Sequence, residues 1–208
     1  MKHKIKDILG NLFFYEELNE LEDLREFRDH VNEESDELVK TSHNLSFPVT
    51  GNRAERYPYL NGPAKFGHRR SGGDRLHAGV DIYFKPFVPE TECSVYAIED
   101  GIVENINLFY KHTYAIQISS KLGTFRYCEL IPSTGLEVGD KVAVGGCIGH
   151  ASKVIDSLPT MLHLEMYSGN ESGPLTNRNL NPYSRRSDLL DPTSLILYLE
   201  KRERSYEK

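Results

Sequence analysis

The chain has 208 residues, with 25 Lys and Arg against 31 Asp and Glu and a formal net charge of -6. That length holds one well-cored domain plus an appendage and is short for two full domains. An acidic balance without a dominant basic face excludes nucleic acid as the main partner, and no continuous apolar stretch is long enough to span a membrane.

The N-terminus starts basic, but Asp7, Asn11, Glu16 and Glu17 interrupt any apolar run and no small-residue cleavage site follows. It does not read as a secretory signal. The expectation is a protein that is cytoplasmic as synthesised and acts outside only through a non-classical route or after lysis. Apolar side chains at Ile5, Ile8, Leu9, Leu12 and Phe13, then at Leu18, Leu21, Leu24, Phe27 and Val31, recur at helical spacing. They predict one long or two short amphipathic helices. Residues 1–44 are therefore read as an acidic helical appendage to the main domain, because helices that lie on membranes are generally basic.

The texture changes at Ser46-Phe-Pro-Val-Thr-Gly51, and the glycine- and proline-rich stretch to about residue 76 reads as irregular. Short β-type runs follow at Val80–Tyr83, Ser94–Ile98, Ile102–Leu108, Tyr114–Ser119, Phe125–Leu130, Cys147–Ile148 and Leu162–Tyr167, separated by turn signals. Leu136-Glu-Val-Gly-Asp-Lys-Val-Ala-Val-Gly145 reads as a tight hairpin. A similar phrase occurs in biotinyl and lipoyl carrier domains, but the Met-Lys-Met-like tip those carriers present is missing. Helical period returns only at Ser194–Glu200. The expected architecture is mainly β, an antiparallel β-sandwich over residues 45–200, with residues 201–208 as a charged tail.

Cys93, Cys128 and Cys147 form no C-x-x-C pair, so neither a thiolate zinc ribbon nor a redox motif is supported, and free thiols are expected. The chemistry concentrates elsewhere, in His77-Ala-Gly-Val-Asp81 and in Met161-Leu-His-Leu-Glu-Met166. Two imidazoles and one carboxylate can hold one zinc ion (Zn2+) and leave its fourth position open. Residues four apart in an extended strand point to one face, so His77 and Asp81 can reach one ion. His163 joins them from a second strand. Glu165 should share the face of His163 and orient it.

From Phe47 to Leu199 the chain resembles the lysostaphin-type zinc metalloendopeptidases, which cut peptidoglycan and share the duplicated-hybrid-motif β fold. The matching phrases run in the family's order. Phe47-Pro-Val-Thr-Gly51, Phe66-Gly-His-Arg69 and His77-Ala-Gly-Val-Asp81 come first. Val95-Tyr-Ala-Ile-Glu-Asp-Gly-Ile-Val103, Val138-Gly-Asp-Lys-Val142 and Gly145-Gly-Cys-Ile-Gly149 follow. Leu162-His-Leu-Glu165 and Asp191-Pro-Thr-Ser194 close the series. Agreement across several phrases outweighs a single motif.

The resemblance implies that His77, Asp81 and His163 are the zinc ligands and that the substrate is a stem or bridge peptide of peptidoglycan. It also exposes two departures, because the family carries histidine where this chain has Glu129 and Met161. In the family those histidines assist the water and the developing oxyanion. Two readings follow. Glu129 acts as the base of a working zinc peptidase, since carboxylates serve in other zinc peptidases; alternatively the protein is a catalytically impaired zinc-binding recognition or regulatory module. Three further residues are candidates for substrate binding. His150 follows a strand and is also weighed as a surface or structural residue. Arg185 and Arg186 would grip peptide carboxylates if their segment folds over the cleft. His68 is a further candidate for the cleft lining.

Overall fold

The computed structural model describes residues 44–50, 54–55, 57–155, 158–180 and 182–206. The helical appendage expected over residues 1–44 lies, Asn44 aside, outside the described residues. Among the described residues eleven strands and one α-helix follow in chain order: β1 (Arg69–Arg70), β2 (Arg75–Leu76), β3 (Val80–Tyr83), β4 (Ser94–Tyr96), β5 (Gly101–Leu108), β6 (Tyr114–Ser120), β7 (Thr124–Pro132), β8 (Lys141–Val142), β9 (Cys147–Ala151), β10 (Met161–Tyr167), β11 (Leu189–Leu190) and α1 (Thr193–Tyr206). The molecule is mainly β, and its ladders are antiparallel. Helix α1 runs on to Tyr206, through residues set apart above as a charged tail.

One sheet runs β11-β10-β7-β6-β5-β8, with β3 on β10 and with β9 joined to both β4 and β7. The alternating pattern explains the layering. Val80, Ile82, Ile116, Ile118, Phe125, Leu130, Leu162 and Leu164 are buried and form the core, while Asp81, Arg126, Glu129, Met161 and His163, their neighbours along β3, β7 and β10, line the cleft. Burial of such side chains is worth roughly 1.5–3 kcal/mol each.

Strand β7 changes partner along its length. Thr124 to Cys128 pair with β10, whereas Leu130 to Pro132 pair with β9. The changeover falls on Glu129. There the β6–β7 register slips, Tyr114 facing Leu130 and Ala115 facing Cys128, so Glu129 is an extra residue with φ of 67°. A bulge of this kind bends a strand and re-aims the side chain it carries.

Two local expectations are corrected. The hairpin expected over Leu136–Gly145 does not form, because Lys141 and Val142 add to the edge of β5 instead of pairing back on residues 136–138. Asp140 closes a turn there, its carboxylate accepting from the Glu137 N–H at 2.8 Å. His77 also lies before β3 instead of on a strand shared with Asp81. Its backbone is fixed by the stretch 66–68, the His77 N–H donating to His68 O at 2.8 Å and the Gly67 N–H to His77 O at 2.9 Å.

The long polar segment after β10 is pinned by its own small core. Tyr167, Leu175, Leu189 and Ala78 are buried together, and Phe66 and Tyr183 pack against them with ring centroids 5.2 Å apart. The Leu76 N–H donates to Pro182 O at 2.8 Å, which ties the β1–β2 ribbon to that segment. No helix among the described residues is long and apolar enough to cross a membrane.

Candidate metal centre and cleft

His77, Asp81 and His163 converge, as their sequence pattern anticipates, although from three different local settings. Asp81 and His163 face each other across the β3–β10 ladder. His77 reaches them because Gly79 lets the chain press against β10. A Cβ at Gly79 would collide with the Leu164 carbonyl and crowd the His163 ring.

His163 Nδ1 lies 2.9 Å from Asp81 Oδ1 and 3.0 Å from His77 Nε2, and His77 Nε2 lies 3.1 Å from Asp81 Oδ1. Tetrahedral ligands at zinc bond lengths sit about 3.3 Å from one another, so the three atoms need to part only slightly to take an ion. The remaining ring nitrogens fit as well. His77 Nδ1 is 2.8 Å from Lys65 O, and His163 Nε2 is 3.1 Å from Glu165 Oε1. Each acceptor takes the ring's other proton and leaves the converging nitrogen free to coordinate. The donor set therefore suits one zinc ion.

The electrostatics match. Burial disfavours a charged His163, but hydrogen bonds to Asp81 and Glu165 outweigh it and raise its pKa to about 9. Burial also pushes Asp81 upward, and the same histidines overcome this to hold it well below the usual carboxylate range. Without metal, a proton on His163 occupies the position a cation would take, so binding should release protons.

Glu165 is fully buried, as the partner of His163 that its strand parity suggested. Arg185 donates to it through Nε at 2.9 and 3.0 Å and through Nη2 at 2.7 Å. Arg126 adds a bond at 3.3 Å, and the Tyr167 hydroxyl donates as well, at 2.5 Å. Burial opposes ionisation here too, but His163 and the two guanidinium groups keep the Glu165 carboxyl well below its usual range.

The centre opens into a cleft of about 820 Å³ whose lining includes Glu129, Met161, Phe109 and Arg70. Glu129 is half-buried and aimed into that space by the β7 bulge. Burial pushes its pKa up to about 7, with the Asp81 carboxylate adding to the rise and His163 and Arg70 opposing it. Met161 pairs with Tyr83 at the start of β10 and turns a thioether to the cleft.

The other candidates fall differently. His150 sits on β9 opposite Ser94 and Ile131, away from the cleft lining. His68 is also outside that lining. Arg185 reaches the cleft, but its guanidinium is committed to Glu165. Arg186 is committed to Asp188 at 2.6 and 3.0 Å and lies 5.6 Å from the Tyr167 ring centroid. The pair read as a substrate grip is thus occupied inside the protein. Arg126 and Phe109 were missed in the sequence. Arg126 stands over the Phe109 ring at 5.4 Å, and that ring stacks with His163 at 6.3 Å. A charged residue inside the apolar run Phe125-Arg-Tyr-Cys128 is the signal that marks it.

No protein-family model and no curated protein matches the chain. Solved structures do. A candidate glycyl-glycine endopeptidase LytM from Ruminococcus gnavus is 20% identical over 92% of this chain and 77% of that one, with a TM-score of 0.52. The fold is that of the LytM structure. Lysostaphin from Staphylococcus simulans is 20% identical over 74% of this chain and 53% of that one, at a TM-score of 0.47. A zinc-containing peptidase from Vibrio cholerae is 17% identical over 63% and 41%, at 0.46. At such identities the likeness is one of fold, and the Ruminococcus structure carries it.

Proposed function

We propose that this protein is a zinc-dependent endopeptidase acting on the peptide crosslinks of bacterial peptidoglycan. Residues 45–200 would be its catalytic domain and residues 1–44 its appendage. The observation that carries the reading is Glu129, placed by a strained bulge in the same cleft as three converging zinc-type ligands. The Ruminococcus structure of the same fold bears the name of a glycyl-glycine endopeptidase, which supports the choice of a peptide bond as target.

His77, Asp81 and His163 would hold the ion, which when bound supplies Lewis-acid polarisation of a carbonyl and acidification of water. Glu129 accepts the proton from the attacking water and delivers it to the leaving amine. In the metal-free protein burial holds the Glu129 carboxyl above the ordinary carboxylate range, which favours its acceptance of a proton. Glu165, braced by Arg126 and Arg185, keeps His163 in one orientation. Met161 donates no hydrogen bond to the developing oxyanion. The loss of one such donor costs about a hundred- to a thousand-fold in rate, so a slow enzyme is expected.

Fragment release from purified peptidoglycan by the zinc-loaded full chain tests the proposal. The parent should release fragments. Glu129→Gln should be slower by at least about a hundred-fold with its zinc content unchanged, and His163→Ala should lose both zinc and activity. Undiminished cleavage by Glu129→Gln would remove Glu129 as the base, and no release from several wall types would sink the reaction.

A further inference from the structure

The chain is acidic, with a net charge of -6, yet five arginines line its cleft, against Asp81 and Glu129 as the acids of the lining. Three of the five have partners within the protein. Arg126 and Arg185 hold Glu165, and Arg70 holds Asp81 at 2.8 Å. Arg75 and Arg178 are exposed and have no ion pair or side-chain hydrogen bond among the described residues.

Their placement adds a second observation. Arg70 and Arg75 stand directly opposite each other on the two-residue β1–β2 ribbon. Like charges so paired destabilise a ladder. The ribbon turns on Gly72 and Gly73, at φ of 74° and 107°, and it is bonded to the segment that carries Arg178. The fold thus gathers positive charge at the cleft and leaves part of it unneutralised, which favours an anionic ligand.

We propose that the cleft selects a peptide with a free carboxylate close to its scissile bond, and that Arg75 and Arg178 are the side chains that bind this carboxylate. This assignment rests on the reading of the cleft as a peptide site and names the class of peptide. A neutral bridge, such as a run of glycines, offers these arginines nothing. A stem peptide with free carboxylates gives each guanidinium a bidentate partner.

The test is isothermal titration of the zinc-free full chain with two synthetic peptides. One is a crosslinked stem-peptide dimer with free carboxylates, and its twin has every carboxylate converted to carboxamide. The parent should bind the carboxylate form about tenfold more tightly, as expected for partly exposed charge-assisted bonds. The double variant Arg75→Gln/Arg178→Gln should bind both peptides equally, with the affinity for the carboxamide twin unchanged as its control for folding. Equal binding of the twins by the parent, no binding of either, or a preference that survives the double substitution would overturn the assignment. A preference without wall hydrolysis would count against the proposed reaction alone, and hydrolysis without the preference against this assignment alone.

Discussion

Around His163 the converging polar atoms have partners within the protein, while on the neighbouring strand Glu129 has φ of 67° and no side-chain hydrogen bond among the described residues. Both residues face one cleft. The β10 side is built as a buried charge network in which each member restrains the next. The β7 corner is strained, partly desolvated and electrostatically unsettled. Local rules are broken at this corner and obeyed around it, which is the pattern expected where stability is given up for chemistry.

The sharpest way to break the contrast is to disturb the satisfied side. Glu165→Gln leaves Arg126 and Arg185 without the carboxylate they share. Removing one partner of a buried ion network costs about 3–5 kcal/mol. Denaturant unfolding of the metal-free chain should show a loss of that size with an unchanged m-value. Zinc affinity should fall by about 10- to 100-fold, because His163 is no longer held. A loss below about 1 kcal/mol would mean that the network is not a unit.

On the strained side the sign reverses. The folded-state pKa of Glu129 is raised to about 7, above that of an ordinary carboxylate, so the folded state disfavours its ionised form. The stability that goes with the neutral form is complete below about pH 4. It is lost as pH rises through 7. Glu129→Gln has no charge to lose, so metal-free variant and parent should be equally sensitive to denaturant near pH 4. They should separate through neutrality, with the variant about 2 kcal/mol more stable at pH 8 after allowance for partial solvation. A gap that does not change with pH would remove the electrostatic account of this residue.

The sequence carried the β10 side well and the β7 corner poorly. Alternation in Leu162–Tyr167 put His163 and Glu165 on one face, and the structure pairs them at 3.1 Å. The strand runs were legible for the same reason, since period-two burial is a local signal. Nothing in Tyr127-Cys-Glu-Leu130 announces a bulge, because it contains no Gly, Asn or Asp. The bulge exists because β7 changes partner from β10 to β9, and partner choice is decided by residues far away in the chain. Arg185 and Arg186 illustrate the same limit. As adjacent residues they read as one cationic pair, but they diverge to Glu165 and Asp188, and the cleft arginines without an ion pair or side-chain hydrogen bond among the described residues are Arg75 and Arg178. The helical segment of residues 1–44 offers no such comparison, lying outside the described residues.

The smallest expected effect separates the backbone of the corner from its charge. At φ of 67° a side chain with a Cβ is strained, and glycine is not. In an ordinary strand position Ala outranks Gly, because Gly loses more backbone entropy on folding. At residue 129 the order should invert, with Glu129→Gly about 1 kcal/mol more stable than Glu129→Ala. Both variants lack the carboxylate, so the difference should be the same at pH 5 and pH 8, in contrast to the Glu129→Gln comparison. If Ala proved the more stable of the two, the bulge would carry no strain. The raised pKa would then be the sole mark of the corner, and Glu129 would owe its aim into the cleft to packing instead of to a backbone held in a costly conformation.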